Sequence, residues 1–99
     1  MEKQLIGVSL FSCGGLMDLG ARKAGITVAY ANEINKDFAA FHAVNFHHPN
    51  GTSVVDVRPM SEVQPQTILD SIKEKYGTTE IDFVWGGPPC VDYSMDISQ

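Results

Sequence analysis

Apolar residues in this chain fall into short runs separated by stretches with helical spacing. Leu5-Ile6-Gly7-Val8-Ser9-Leu10 is mostly apolar, as in a strand covered on both faces. A tight loop, Phe11-Ser12-Cys13-Gly14-Gly15, leads into a helical stretch from about Leu16 to Ala24, with Gly25 placed as its stop. A second strand, Thr27 to Ala31, ends at Asn32-Glu33, and Asn35 is placed to cap a second helix through about Val44. In that helix Phe38, Phe41 and either Val44 or Asn45 have the spacing of one buried face. Asn50-Gly51 marks a turn, and Thr52-Ser53-Val54-Val55 predicts a short strand leading to Asp56. A third helix is predicted from near Pro65 to Tyr76, with Ile68, Leu69 and Ile72 inward and Gly77 at its end. A fourth strand, about Ile81 to Trp85, delivers the run Gly86-Gly87-Pro88-Pro89-Cys90.

The order is βαβαβαβ, which predicts an α/β fold with a parallel sheet and right-handed crossovers. No internal repeat or linker interrupts it. Met95 to Gln99 offer no closing element, and the fourth strand has no predicted neighbour on its outer side. An unpaired strand in that position is a pairing edge. The expectation is therefore that residues 1–99 are one incomplete domain that continues elsewhere.

Composition narrows the class. A chain 43% hydrophobic and 19% charged has the balance of a globular protein. No apolar run approaches the roughly 18 residues that span a membrane. Met1-Glu2-Lys3-Gln4 lacks the basic start of a signal peptide. Cys13 and Cys90 lie far apart and form no CxxC pattern, so a disulfide framework is not expected and a cytoplasmic setting is. His47-His48 has no Cys, Asp or Glu at ligand spacing, so no metal is expected and the pair reads as a solvated loop. The net charge of −5 argues against a large basic footprint, so this chain alone is a poor candidate for tight nucleic-acid binding, which leaves room for a catalytic module whose grip lies elsewhere.

In an open parallel sheet, ligands bind beyond the C-terminal strand ends, where the strand order reverses. Four groups fall there. Gly14 and Gly15 would let backbone amides approach a ligand at a helix start. Glu33 follows them at about the 20-residue distance at which an acid meets a ribose hydroxyl in dinucleotide folds. Asp56 is placed to accept from an adenine amino group, or simply to shape a turn. Cys90 is a thiol on a loop stiffened by two prolines, a suitable setting for a nucleophile and equally for a small buried residue. With neither GxGxxG nor GxxxxGK[ST] present, the pattern fits an adenosine-containing cofactor without phosphate, S-adenosylmethionine, better than a nicotinamide or a nucleoside triphosphate.

These segments resemble the motifs of the C5 DNA cytosine methyltransferases, in order and in spacing. Leu10-Phe11-Ser12-Cys13-Gly14-Gly15-Leu16 is similar to the family's cofactor loop, Asn32-Glu33-Ile34 to its second motif, Asp56-Val57 to its third and Gly-Gly-Pro-Pro-Cys90 to its fourth. The resemblance covers nearly the whole chain, and the fourth motif is the most specific. It implies a Rossmann-like S-adenosylmethionine-dependent methyltransferase fold with an incomplete sheet. It also implies that Phe11 lies against the cofactor adenine, with Gly14, Gly15 and Leu16 near its methionine end. Glu33 would hold the ribose hydroxyls, Ile34 would pack on the base, and Asp56 and Val57 would contact the adenine edge. Cys90 would be the nucleophile that adds to C6 of a cytosine flipped from double-stranded DNA.

The sequence departs from the family pattern in places. The loop between Phe11 and Gly14-Gly15 is one residue short, Val91 stands where the family has Gln, and Tyr93 where it has Phe; Ser94 matches. The family's Glu-Asn-Val and Arg-x-Arg motifs, its target-recognition region and its last cofactor-binding helix would follow Gln99. The chain is thus expected to be a fragment or one half of a split enzyme, inactive without a complementary C-terminal methyltransferase chain. The alternatives are a relative acting on cytosine in RNA and a non-catalytic cofactor-binding or assembly subunit. Restriction–modification, repair marking and phage protection are all open as settings. Outside the motifs, Asp18 reads as a solvated charge, His42 as partly exposed, Cys13 as a packing residue and Trp85 as packing beneath the cysteine loop.

Overall fold

A computed structural model describes residues 4–10 and 15–86. Phe11, Gly14 and Cys90 lie outside these residues, as do Cys13, Val91, Tyr93 and Ser94. The element order is β1 (Leu5–Leu10), α1 (Leu16–Lys23), β2 (Ile26–Asn32), α2 (Lys36–Asn45), β3 (Val55–Asp56), a short 3-10 turn (Met60–Glu62), α3 (Pro65–Tyr76) and β4 (Phe83–Gly86). All pairings are parallel, and the sheet order is β3-β2-β1-β4. The chain steps outward from β1 through β2 to β3, then crosses back over the sheet to β4. The strand order therefore reverses between β1 and β4, where Leu10 pairs with Gly86.

The reversal places the helices on opposite faces. Leu19 of α1 and Phe46, just after α2, pack with Val28, Ala31 and Val54 on one face. Ile68, Ile72 and Tyr76 of α3 pack with Ile6, Val8, Ala29 and Tyr30 on the other. α3 has the predicted bounds, with proline at its start and Gly77 in the left-handed conformation at its end. Asn35 caps α2 as expected, its side chain accepting from the backbone amides of Asp37 and Phe38 at 2.9 and 3.0 Å. A register shift opposite Gly7/Val8 interrupts the β1–β2 ladder. Across that bulge the alternation in β2 changes phase: Val28 faces α1, but Tyr30 faces α3.

Three expectations change. The inner face of α2 is not Phe38, Phe41 and Val44; Phe41 and Val44 are 70% and 75% exposed, while Ala39 and His42 are buried. The helix is rotated so that the His42 ring meets a buried carboxylate on α1. The third strand is also shorter and later than Thr52–Val55. The Asn50-Gly51 turn folds the chain into an antiparallel clasp, in which the His48 amide donates to Thr52 O at 2.7 Å and the Val54 amide to Phe46 O at 3.2 Å. The backbone of Thr52–Val54 is thereby committed to residues 46–48, leaving only Val55 and Asp56 for the sheet. β4 starts at Phe83 because Asp82 makes its contacts differently: its amide donates to Ile6 O and its carboxylate accepts from the Ile6 amide at 2.8 Å. No strand covers the outer edge of β4 among the described residues, and Val84 is 62% exposed there. No helix among them is long and apolar enough to cross a membrane.

Candidate functional site

The candidate residues follow three adjacent strand ends: Gly15-Leu16 after β1, Glu33-Ile34 after β2 and Asp56-Val57 at and after β3. Glu33 and Asp56 are brought side by side, since the Glu33 amide donates to Asp56 O at 3.1 Å. The Glu33 side chain is buried, and its Oε2 accepts from the Asn35 amide at 2.8 Å. The carboxylate is thus held at the entry to α2, where the helix N-terminus favours negative charge. Asp56 is clamped between two donors: Tyr30 OH to Oδ2 at 2.8 Å and Arg58 Nε to Oδ1 at 2.9 Å. Burial, and after it the bond to Asp56, pushes the Tyr30 phenol above its ordinary value, so it remains a donor. The bulge in β2 is what turns Tyr30 toward this position. Leu16, Ile34 and Val57 are all exposed, and Ile34 and Val57 directly follow the two acids in the chain.

The side of Gly15 where a side chain would stand faces a neighbour inside the fold. Gly15 caps α1 with φ near +90°, and the direction a Cβ would take faces inward, 2.8 Å from His42 Cδ2 and 3.2 Å from Phe46 Cε2. The glycine is required because α2 approaches the start of α1 so closely.

Beneath Gly15 lies a polar cluster centred on a fully buried carboxylate. Asp18 on the first turn of α1 accepts three hydrogen bonds: Ser9 Oγ at 2.7 Å and Trp85 Nε1 at 2.8 Å, both on Oδ1, and His42 Nε2 at 2.6 Å on Oδ2. Asp18 and His42 have no exposed surface, and the His42 ring stacks on Phe46 with centroids 4.4 Å apart. Burial by itself raises the Asp18 carboxyl; the bonds from His42, Ser9 and Trp85 outweigh it, and the net shift is downward. Asp18 is therefore ionised at neutral pH, and His42 Nε2–H donates to it while Nδ1 has no partner among the described residues.

The chain matches the family model described as C-5 cytosine-specific DNA methylase over residues 5–99. It belongs to that family. Its curated relatives include the type II methyltransferase M.AquIA of Picosynechococcus, 37% identical over 96% of this chain and 35% of the relative. M.NgoPII of Neisseria gonorrhoeae is 40% identical over 88% of this chain and 22% of the relative. The DNA (cytosine-5-)-methyltransferase M.ApeKI of Aeropyrum pernix is 34% identical over 89% of this chain and 20% of the relative. The chain spans about a third or less of the length of the relatives it matches. No solved structure matches it significantly.

In this C5 methylase chain three residues read differently in the structure than in the sequence. Asp18 is not a solvated charge: it is the centre of the buried cluster, held there by donors from β1, α2 and β4. Nothing local to it signals burial, because Arg22 one turn later suggests an ordinary surface pair. His42 is buried rather than partly exposed, and here a signal existed: Ala39, His42 and Phe46 form a second stripe at helical spacing that competes with the aromatic one. His48 is not solvated, although its neighbour His47 is exposed. The His48 ring is buried and its Nδ1 lies 3.0 Å from Tyr76 OH.

Proposed function

We propose that this chain is the cofactor-binding and thiol-bearing part of a DNA (cytosine-5-)-methyltransferase that uses S-adenosylmethionine. The observation that carries the reading is the pairing of Glu33 with Asp56 at the end of the sheet, with Leu16, Ile34 and Val57 exposed. That donor set suits an adenosine: an acid for ribose hydroxyls, a second acid for an amino group and apolar walls for a flat base. When bound, the sulfonium supplies an electrophilic methyl group.

Glu33 orients the ribose, helped by its fixed bond to the Asn35 amide. Asp56, immobilised by Tyr30 and Arg58, accepts from the base edge. Ile34 and Val57 exclude water from the faces of the base. Cys90, beyond the end of β4, provides a thiolate that adds to C6 of a flipped cytosine and makes C5 nucleophilic. After C5 is methylated, loss of the C5 proton and elimination of the thiolate restore the ring and release 5-methylcytosine. Recognition of the DNA and removal of that proton belong to a complementary C-terminal part, supplied by further sequence or a second chain. The net charge of −5 on this chain is consistent with a DNA grip located there.

The test is methyl transfer from labelled S-adenosylmethionine to DNA by the chain combined with such a complementary part. Wild type is expected to be active only in combination. Cys90→Ser is expected to abolish transfer and leave cofactor binding nearly intact. Surviving activity would remove Cys90 from the role of nucleophile.

A further inference from the structure

The two edges of the sheet differ. At one, β3 is two residues long, and the backbone of Thr52–Val54 before it is held by residues 46–48. At the other, β4 presents four residues with no strand alongside among the described residues. The two faces of β4 differ as well. Trp85 turns toward the α1 face and packs against the cluster of Val28, Ala31 and Phe46. Val84, in register with Val8, turns toward the α3 face and is 62% exposed. Between Val84 and α3 lies a recess of about 320 Å³, apolar throughout, whose walls include Val8, Leu10, Val63, Ile68 and Leu69. Such walls offer water no hydrogen-bonding partners.

The path of the chain indicates what covers this recess. From β1 through β2 to β3 the chain steps one way across the sheet, with its helices on one face. From β3 to β4 it steps the other way, and α3 lies on the other face. A single hand of crossover gives both results, and between parallel strands that hand is right. A further parallel strand on the open side of β4 would continue the second direction. Its crossover helix then falls on the α3 face, beside α3 and over Val84.

We propose that the recess between α3 and the open side of β4 is the docking surface for a crossover helix of the complementary C-terminal part, which also lays a strand parallel to β4. This rests on the methyltransferase reading for the existence of such a part; the chain spans about a third or less of its relatives' length, so they have ample sequence to supply one. The helix presents an apolar stripe to Val84, Ile68 and Leu69 and keeps its polar side outward. Phe41 and Val44, exposed on α2, take no part in this docking.

The test titrates this chain by calorimetry, without cofactor, with the Picosynechococcus relative from which the stretch matched by this chain has been removed. Wild type, Val84→Lys, Leu69→Lys and Phe41→Lys are compared, each first examined alone by circular dichroism and sedimentation. Wild type is expected to be monomeric alone and to bind the complementary part. Val84→Lys and Leu69→Lys should each weaken binding about tenfold or more, because an ammonium group then stands where apolar surface is buried. Phe41→Lys, a like change outside the recess, should bind within about twofold of wild type. Should Leu69→Lys fail to fold alone, Leu69→Ala replaces it, with a loss of about threefold or more. Absence of wild-type binding overturns the proposal. So does a loss in Phe41→Lys equal to that in Val84→Lys, which puts the contact on the other face. A loss in Val84→Lys with none at Leu69 leaves strand pairing without the helix and overturns it too. A wild-type dimer that Val84→Lys dissociates assigns the recess to a second copy of this chain and likewise overturns it. The methyltransferase reading is judged apart, by S-adenosylmethionine binding and methyl transfer: docking without either defeats that reading alone, and transfer with docking indifferent to Val84 and Leu69 defeats the inference alone.

Discussion

Replacing Gly15 by alanine separates two costs that usually arrive together. Gly15 and Gly25 flank the same helix with φ of +90° and +91°. A Cβ at Gly25 meets nothing within 4 Å among the described residues, whereas one at Gly15 lies 2.8 Å from His42 Cδ2. The His42 ring has nowhere to go: Asp18 holds it at 2.6 Å and Phe46 stacks on it at 4.4 Å. Alanine in the left-handed region costs about 1–2 kcal/mol, and about 0.4–1 kcal/mol of that is offset by a less flexible unfolded chain. Gly25→Ala should therefore destabilise by about 1 kcal/mol. Gly15→Ala adds the penalty for overpacking a rigid site, about 1–3 kcal/mol, for a total of about 2–4 kcal/mol. A domain of this size has about 5–15 kcal/mol in all, so the second variant loses a large share. Urea unfolding followed by the emission of Trp85 gives both values, provided the slope with denaturant is unchanged. If the two variants unfold within about 0.5 kcal/mol of each other, the close approach of His42 to Gly15 is wrong, and the account of why glycine stands there goes with it.

Two further outcomes bear on the site and its support. Glu33→Ala should weaken S-adenosylmethionine binding by about 1–3 kcal/mol, the cost of leaving buried polar groups unpaired; unchanged affinity in equilibrium dialysis removes Glu33 from the site. Burial, and after it the charge of Lys75, lowers His48 to about 4 from its ordinary 6.5. The unfolded chain takes up that proton first, so the stabilising contribution of neutral His48 is complete above pH 6.5 and is lost as pH falls toward 4. His48→Asn places an amide where Nδ1 meets Tyr76. It should flatten the pH dependence of unfolding across that window, and parallel curves for the two proteins would refute the assignment.

Much of this chain is decided locally. Alternation of short apolar runs with helical stretches is enough for βαβαβαβ and a parallel sheet, because crossover connections leave few other arrangements. The cap at Asn35, the proline at the start of α3 and the glycine at its end act on neighbouring backbone groups alone, so their effect is readable from spacing. The positions of Gly15, Leu16, Glu33, Ile34, Asp56 and Val57 are legible for the same reason, since a parallel sheet presents all its C-terminal strand ends on one side.

What only the tertiary structure decided depends on partners distant in sequence. The rotation of α2 about its own axis is set by His42 meeting Asp18, not by which stripe of the helix is more apolar, and Phe41 and Val44 are left outside. The length of β3 is set by the clasp between residues 46–48 and 52–54, which commits backbone groups that a strand pattern alone would assign to the sheet. The phase of Tyr30 is set by a bulge that arises only when β2 pairs with β1. Asp18 itself is indistinguishable from a surface acid until Ser9, His42 and Trp85 converge on it. A carboxylate is stable in the interior only when its donors are assembled around it, and those donors come from three separate elements that meet only in the folded chain.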